Sequence, residues 1–454
     1  MEQQLSDLII LLANGISQRR MYFDDHPRVV ATAGEVAAGL NAVMAKSDGG
    51  AFSFGVFNGK FVRNGHYLVG PSIAGRALID FAEQLGCGGF SFRPPLDPDH
   101  VTTFFRLGAA RLEKPANLAQ AQALLAANGI GHILLAAPLQ EDEGDGDAGA
   151  DALDLAAEFA PLLQVYQSMY ETVSANALAV HRGGAVDLVH ARDTGLQLIG
   201  LADQGTLDVM QFMRYPDYDS YTIGHSVRVA ALSTMVGRKL GWPTEVLAEL
   251  TTAGLLHDVG KSRVPEEILF KPGKLDPDER RVMESHPTAG AQILLESGEK
   301  NPLVVSAAWG HHLRHDGGGY PAMPDSYRPG AVAELVHVCD VFEALTACRP
   351  YKNSLTPRKA YEIMLQDAAA FHPHLLAELV TTMGLYPPGS VVHLSDRSTA
   401  VVVSRGPALD HPCVRVTSDA DGQPIPRDQQ PAIDLHRQPE LAILDIVVAG
   451  TGGK

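Results

Sequence analysis

Residues 253–261 read AGLLHDVGK. The stretch sets His257 and Asp258 side by side on an apolar helix, with Lys261 roughly one helical turn further on. Both side chains of the pair can reach one metal ion, and the carboxylate keeps a second oxygen free to bridge to another. Lys261 is then close enough to meet a phosphate held over those metals. A His-Asp hydrogen bond that only braces a core would give the same dipeptide, so the reading turns on whether the chain supplies further ligands. It does: His225 in YTIGHSVRVA, His286 in MESHPTAG, His311 and His312 in WGHHLRHDGGGYP, and Asp340 in VHVCDVFEALT, each in or beside a helical segment. Imidazole and carboxylate together suit iron, manganese or zinc, whereas an all-oxygen set would suit magnesium or calcium. Seven ligand candidates over five segments are too many for one structural zinc, and the lack of paired cysteines excludes a zinc finger.

The segment from about Tyr221 to Leu385, somewhat more than a third of the chain, resembles the HD-GYP family of cyclic di-GMP phosphodiesterases. The matching strings are YTIGHSVRVAALS, AGLLHDVGKSRVPEEILFKPGKL, ESHPTAG, HHLRHDGGGYP and VCDVFEALTACRPYKN. They include both family signatures, His257-Asp258 and Gly319-Tyr320-Pro321. The resemblance implies an all-α catalytic domain with two divalent metal ions, iron or manganese. It also implies hydrolysis of cyclic di-GMP to linear pGpG, with GMP as a further product left open, by a hydroxide bridging the metals. Carried over by motif, His225, His257, Asp258 and Asp340 hold one metal. Asp258, His286, His311 and His312 hold the other, so Asp258 is the bridge. Lys261 becomes an electrostatic partner of the scissile phosphate, and Arg349 and Lys352 in RPYK match positions that contact substrate phosphates. Gly317, Gly318 and Gly319 permit a tight loop on which Tyr320 stacks against a guanine or caps the pocket, and which signalling partners could also bind.

Three positions depart from the family pattern. Leu313 follows the double histidine in place of Glu. Glu343 stands in place of Asp, on the helix face of Asp340, and is kept as a weaker site candidate. Tyr221 replaces the Glu of members with a third metal, so two metals are expected. Two alternatives stay open: phosphohydrolase action on another cyclic dinucleotide or nucleotide, and a catalytically weak cyclic di-GMP receptor or interaction module.

The remainder sets the context. A chain of 454 residues is expected to hold two or three domains. The net charge of −17 argues against DNA binding, which wants a basic face. Four scattered cysteines, no basic n-region and no apolar run of bilayer length point to a cytoplasmic protein without a membrane span. Residues 1–138 read as an α/β regulatory module. Its helices run over Leu5–Ala45 with a break near Pro27, and its hairpin FSFGVF-NG-KFVRNG turns at Asn58-Gly59. Residues 139–154 form an acidic linker, since the seven acids of QEDEGDGDAGADALD cannot pack. Residues 155–214 read as connecting helices through which a homodimer could form. Residues 215–388 are the HD-GYP catalytic domain, and residues 389–454 a small β-rich C-terminal appendage.

Overall fold

The computed structural model describes residues 2–46, 50–57, 59–63, 66–68, 71–72, 75–138, 150–203, 223–269, 271, 273–324, 326–347, 355–387, 390–426 and 429–446. The chain divides into two compact units, Met1–Gln167 and Ser168–Lys454. The architecture is a mostly helical core with a β-sheet module on its N-terminal and on its C-terminal side in sequence. No helix among the described residues is long and apolar enough to cross a membrane.

The first unit is a five-stranded antiparallel sheet under helices. Its strands are β1 (Phe52–Phe57), β2 (Lys60–Arg63), β3 (His66–Leu68), β4 (Gly89–Phe92) and β5 (Leu134–Ala136), in the order β3-β2-β1-β4-β5. Alternation in β1 and β4 turns Phe52, Phe54, Phe90 and Phe92 to one face, where they pack with Phe61, Phe81 and Phe104. Helices Glu2–Met21 and Pro27–Met44 follow the expected break. His26 caps the second and Pro27 occupies its first turn, where a missing N–H costs nothing. The helix Leu118–Ala127 escapes apolar periodicity because only Ala121 and Leu125 of its residues are buried. The long helix Ala150–His181 starts before Leu155, where the sequence pattern begins it. The helix expected to run toward Met213 is described over Leu188–Asp203, and Met213 itself lies outside the described residues.

In the second unit, helix Ile223–Lys239 is buried along nearly its whole length. It packs on Thr244–Leu256 and on Ala331–Thr346. Helix Thr244–Leu256 also contacts Leu188–Asp203 and Pro302–Gly310, and the last of these packs on His286–Glu296. The chain ends in a second antiparallel sheet of β6 (Val391–Leu394), β7 (Thr399–Ser404), β8 (Cys413–Ser418), β9 (Ala432–Asp434) and β10 (Ile443–Ile446), in the order β10-β6-β7-β8-β9. It has its own small core of Val392, Leu394, Val402, Val414 and Leu435.

Candidate metal centre

The His-Asp pair stands where a helix stops, not inside one as the sequence suggests. Helix Thr244–Leu256 ends with His257 as its C-cap, and the chain continues as a 3-10 turn over Val259–Arg263, closed by the Lys261 N–H on the Asp258 carbonyl at 2.9 Å. Gly260 makes this turn fit. A Cβ there would lie 1.9 Å from the carbonyl oxygen of His286, so only glycine lets the turn press against the start of helix His286–Glu296. That contact brings His286 to Asp258.

The two carboxylate oxygens of Asp258 then face different groups. Oδ1 lies 3.3 Å from His286 Nε2 and 3.6 Å from His311 Nε2. Oδ2 lies 3.5 Å from His257 Nε2 and 3.7 Å from His225 Nε2, and accepts from Lys261 Nζ at 2.5 Å. Two ligand groups result, one of His225, His257 and Asp258, the other of Asp258, His286, His311 and His312; within each, the ligand atoms lie inside 4.8 Å of one another. Asp340 closes the arrangement, with Oδ1 3.1 Å from His225 Nε2 and Oδ2 3.9 Å from His312 Nδ1.

Four of the five rings are held from behind. His257 Nδ1 donates to Gly254 O at 2.8 Å, His286 Nδ1 to Met283 O at 2.7 Å, and His311 Nδ1 to Ala308 O at 2.9 Å. A carbonyl can only accept, so these contacts fix the Nδ1–H tautomer and leave Nε2 as a lone pair facing the centre. His225 Nδ1 meets a carboxylate instead, Glu343 Oε2 at 2.5 Å, and the other oxygen of Glu343 accepts from Arg228 Nε at 2.5 Å. Glu343 therefore sits behind His225 with both oxygens engaged. His337 is buried and donates Nδ1 to the carbonyl of His311 at 2.8 Å. Only its i−3 spacing from Asp340 hints at that placement.

The residues fit a metal. His257 Nε2 and Asp258 Oδ1 are buried with no hydrogen-bond partner, although such atoms are costly to leave unsatisfied. Burial pushes His257 down to about 4 and lowers His286 and His312, so these imidazoles are neutral, the ligating form. Burial works against the charge of Asp258 and Asp340, but Lys261 and His257 outweigh it at Asp258, and His225 foremost at Asp340, holding both carboxyls well below their ordinary range. Burial would also lower His225, yet Glu343 and Asp340 raise it; a cation at Nε2 would displace that proton.

Tyr320 borders the centre. Its ring centroid is 4.5 Å from that of His312 and 6.2 Å from that of His286, and burial pushes its phenol up, so it stays neutral. Its loop is tightly folded. Gly319 has φ +86°, and a Cβ there would lie 2.1 Å from His312 O. Arg314 grips both Asp316 and Asp367. Leu313 is buried, 3% exposed, and pairs through its backbone with Gly319. Arg349, Lys352 and Tyr221 lie outside the described residues.

Comparison with known proteins adds the relatives. Residues 216–375 match the HD domain family. The chain is 36% identical over 257 residues to the cyclic di-GMP phosphodiesterase PA4108 of Pseudomonas aeruginosa, covering 56% of this chain and 61% of that protein. It is 35% identical over 181 residues to the 3'3'-cGAMP-specific phosphodiesterase 3 of Vibrio cholerae, 39% of each chain. It is 39% identical over 166 residues to the cyclic di-GMP phosphodiesterase response regulator RpfG of Xanthomonas campestris pv. campestris, covering 36% of this chain and 43% of that one. The chain thus spans less than two thirds of the length of these relatives.

Proposed function

Because residues 216–375 belong to the HD-domain phosphohydrolase superfamily and carry the HD-GYP signature, we propose that this chain is a metal-dependent phosphodiesterase acting on a cyclic dinucleotide. The observation that carries this reading is the division of labour at Asp258, whose two oxygens face two separate sets of histidines. That is the arrangement a pair of divalent metals needs; mixed imidazole and carboxylate donors suit iron, manganese or zinc, and the family resemblance favours the first two. When bound, such metals acidify a water and offset the charge that grows on the phosphoryl oxygens. The chain's own groups do the rest. Asp258 holds the two halves of the centre in one geometry. Lys261, anchored at Asp258, presents an ammonium to a phosphate oxygen. The neutral Tyr320 offers an aromatic face to a base and walls off water on the His312 side.

Cyclic di-GMP is the substrate favoured by the similarity to PA4108 and RpfG. A second reading, 3'3'-cGAMP, is favoured by the similarity to the Vibrio cholerae enzyme. The test is to load the protein with iron or manganese without oxygen, count metals per chain, and identify the products from each dinucleotide. Two metals and a linear dinucleotide are expected. A folded protein that takes up no metal, or a loaded one that turns over neither compound, would overturn the reading.

A further inference from the structure

We propose that Arg228 and Glu343 form a positioning pair that sets the affinity of the metal bound by His225 and His257. This rests on the metal-dependent reading above. The geometry is a crossed square between two helices. Helix Ile223–Lys239 contributes His225 and, three residues on, Arg228; helix Ala331–Thr346 contributes Asp340 and, three residues on, Glu343. Glu343 spans the gap, with Oε2 2.5 Å from His225 Nδ1 and Oε1 2.5 Å from Arg228 Nε. None of these groups can reorient into water: Arg228 is 1% exposed, His225 3% and Glu343 0%.

The consequence follows from how an imidazole ligand is controlled. His257, His286 and His311 are braced at Nδ1 by neutral backbone carbonyls, whereas His225 is braced by a carboxylate. A carboxylate at Nδ1 fixes the ring's rotation and tautomer more firmly and makes Nε2 a stronger donor. The same carboxylate would be unstable in a dry site on its own. Arg228 supplies its charge partner and pins its second oxygen, so that the first keeps pointing at His225. Arg228 acts on the centre through Glu343. The competing explanation is a buried ion pair that merely ties the two helices together.

Two variants separate these roles. Glu343→Gln keeps the shape and an acceptor but loses the charge. Arg228→Met combined with Glu343→Leu replaces the pair by apolar groups, a change that commonly preserves or raises stability. The readouts are metals per chain, stepwise titration with manganese against a competing chelator, and urea unfolding of the metal-free protein. In the double variant the unfolding midpoint should stay near that of the parent, while one of the two titration steps weakens by about 10- to 100-fold and the other is unchanged. Glu343→Gln should fall between. Full-affinity loading of both metals in the double variant would leave the pair a helix tie and overturn the proposal. If the double variant does not fold, Glu343→Gln with a native circular dichroism spectrum decides: unchanged titration refutes the pair's role, and a weakened step supports it. Failure of the parent protein itself to bind manganese or iron would instead sink the metal-centre reading.

Discussion

At the residue scale, Asp258 and Lys261 share a hydrogen bond yet should fail differently. Asp258→Ala removes the carboxylate common to both ligand groups, so metal content and nearly all turnover should vanish while the far-ultraviolet circular dichroism remains helical. Lys261→Ala should retain its metals and lose about 10²-fold in turnover, the scale for removing one electrostatic stabiliser. Elemental analysis beside single-turnover rates tests both, and a fully loaded, active Asp258→Ala would refute the bridging assignment. Glu343 gives an acid-stability prediction. Burial raises its carboxyl, but Arg228 and His225 more than offset that and bring it from 4.5 to about 2. The unfolded chain takes up the proton near the higher value. The stability tied to Glu343 being ionised rather than protonated is therefore fully present above the unfolded value and drains away as pH falls toward the folded one. The stability gap between the parent and Glu343→Gln in urea should shrink over that interval; a gap that stays constant with pH would point elsewhere. The candidate ligands were readable in the sequence because histidines and aspartates in apolar helices are chemically conspicuous. The place of Glu343 was not, because a residue three positions from Asp340 can equally face the metals or stand behind a neighbouring histidine.

At the element scale, the helix start at Pro27 was legible from its punctuation, and Pro277, Pro302, Pro357 and Pro373 likewise each occupy a first turn. What the pattern missed was the end of the helix before Asp258, since the apolar run continues through Val259 and the 3-10 turn is dictated by the approach of His286 rather than by local propensity. Helix Leu188–Asp203 is tied by charge to helix Thr244–Leu256 and to the turn before helix Pro302–Gly310. Arg192 Nη2 lies 2.7 Å from Glu299 and 3.1 Å from Glu249, and Glu299 also accepts the N–H groups of Lys300 and Asn301 at 2.8 Å. Arg192→Ala leaves the buried Glu299 without its cation and should cost about 2 kcal/mol, more than Glu249→Gln, whose carboxylate is the more exposed partner. Chemical denaturation of the two variants checks the order; equal losses would mean that Glu249 carries as much of the tie.

At the scale of the molecule, the candidate ligands come from five places in the chain, between His225 and Asp340, and none comes from either sheet. Bound metals would then act as fasteners between helices that are distant in sequence. Each site filled at about a thousandfold above its Kd adds about 4 kcal/mol to the folded state, so chelation should lower the melting temperature of the helical core by ~10 °C or more. Differential scanning calorimetry with and without a chelator tests this, and an unmoved transition would mean that the folded chain binds no metal. The convergence of those five segments has a consequence for supply and survival. In a cell short of iron or manganese, newly made chains would lack the binding energy of their metals and open more often. Proteases act on opened chains, so the amount of this protein, and not only its rate, would follow the availability of its ions.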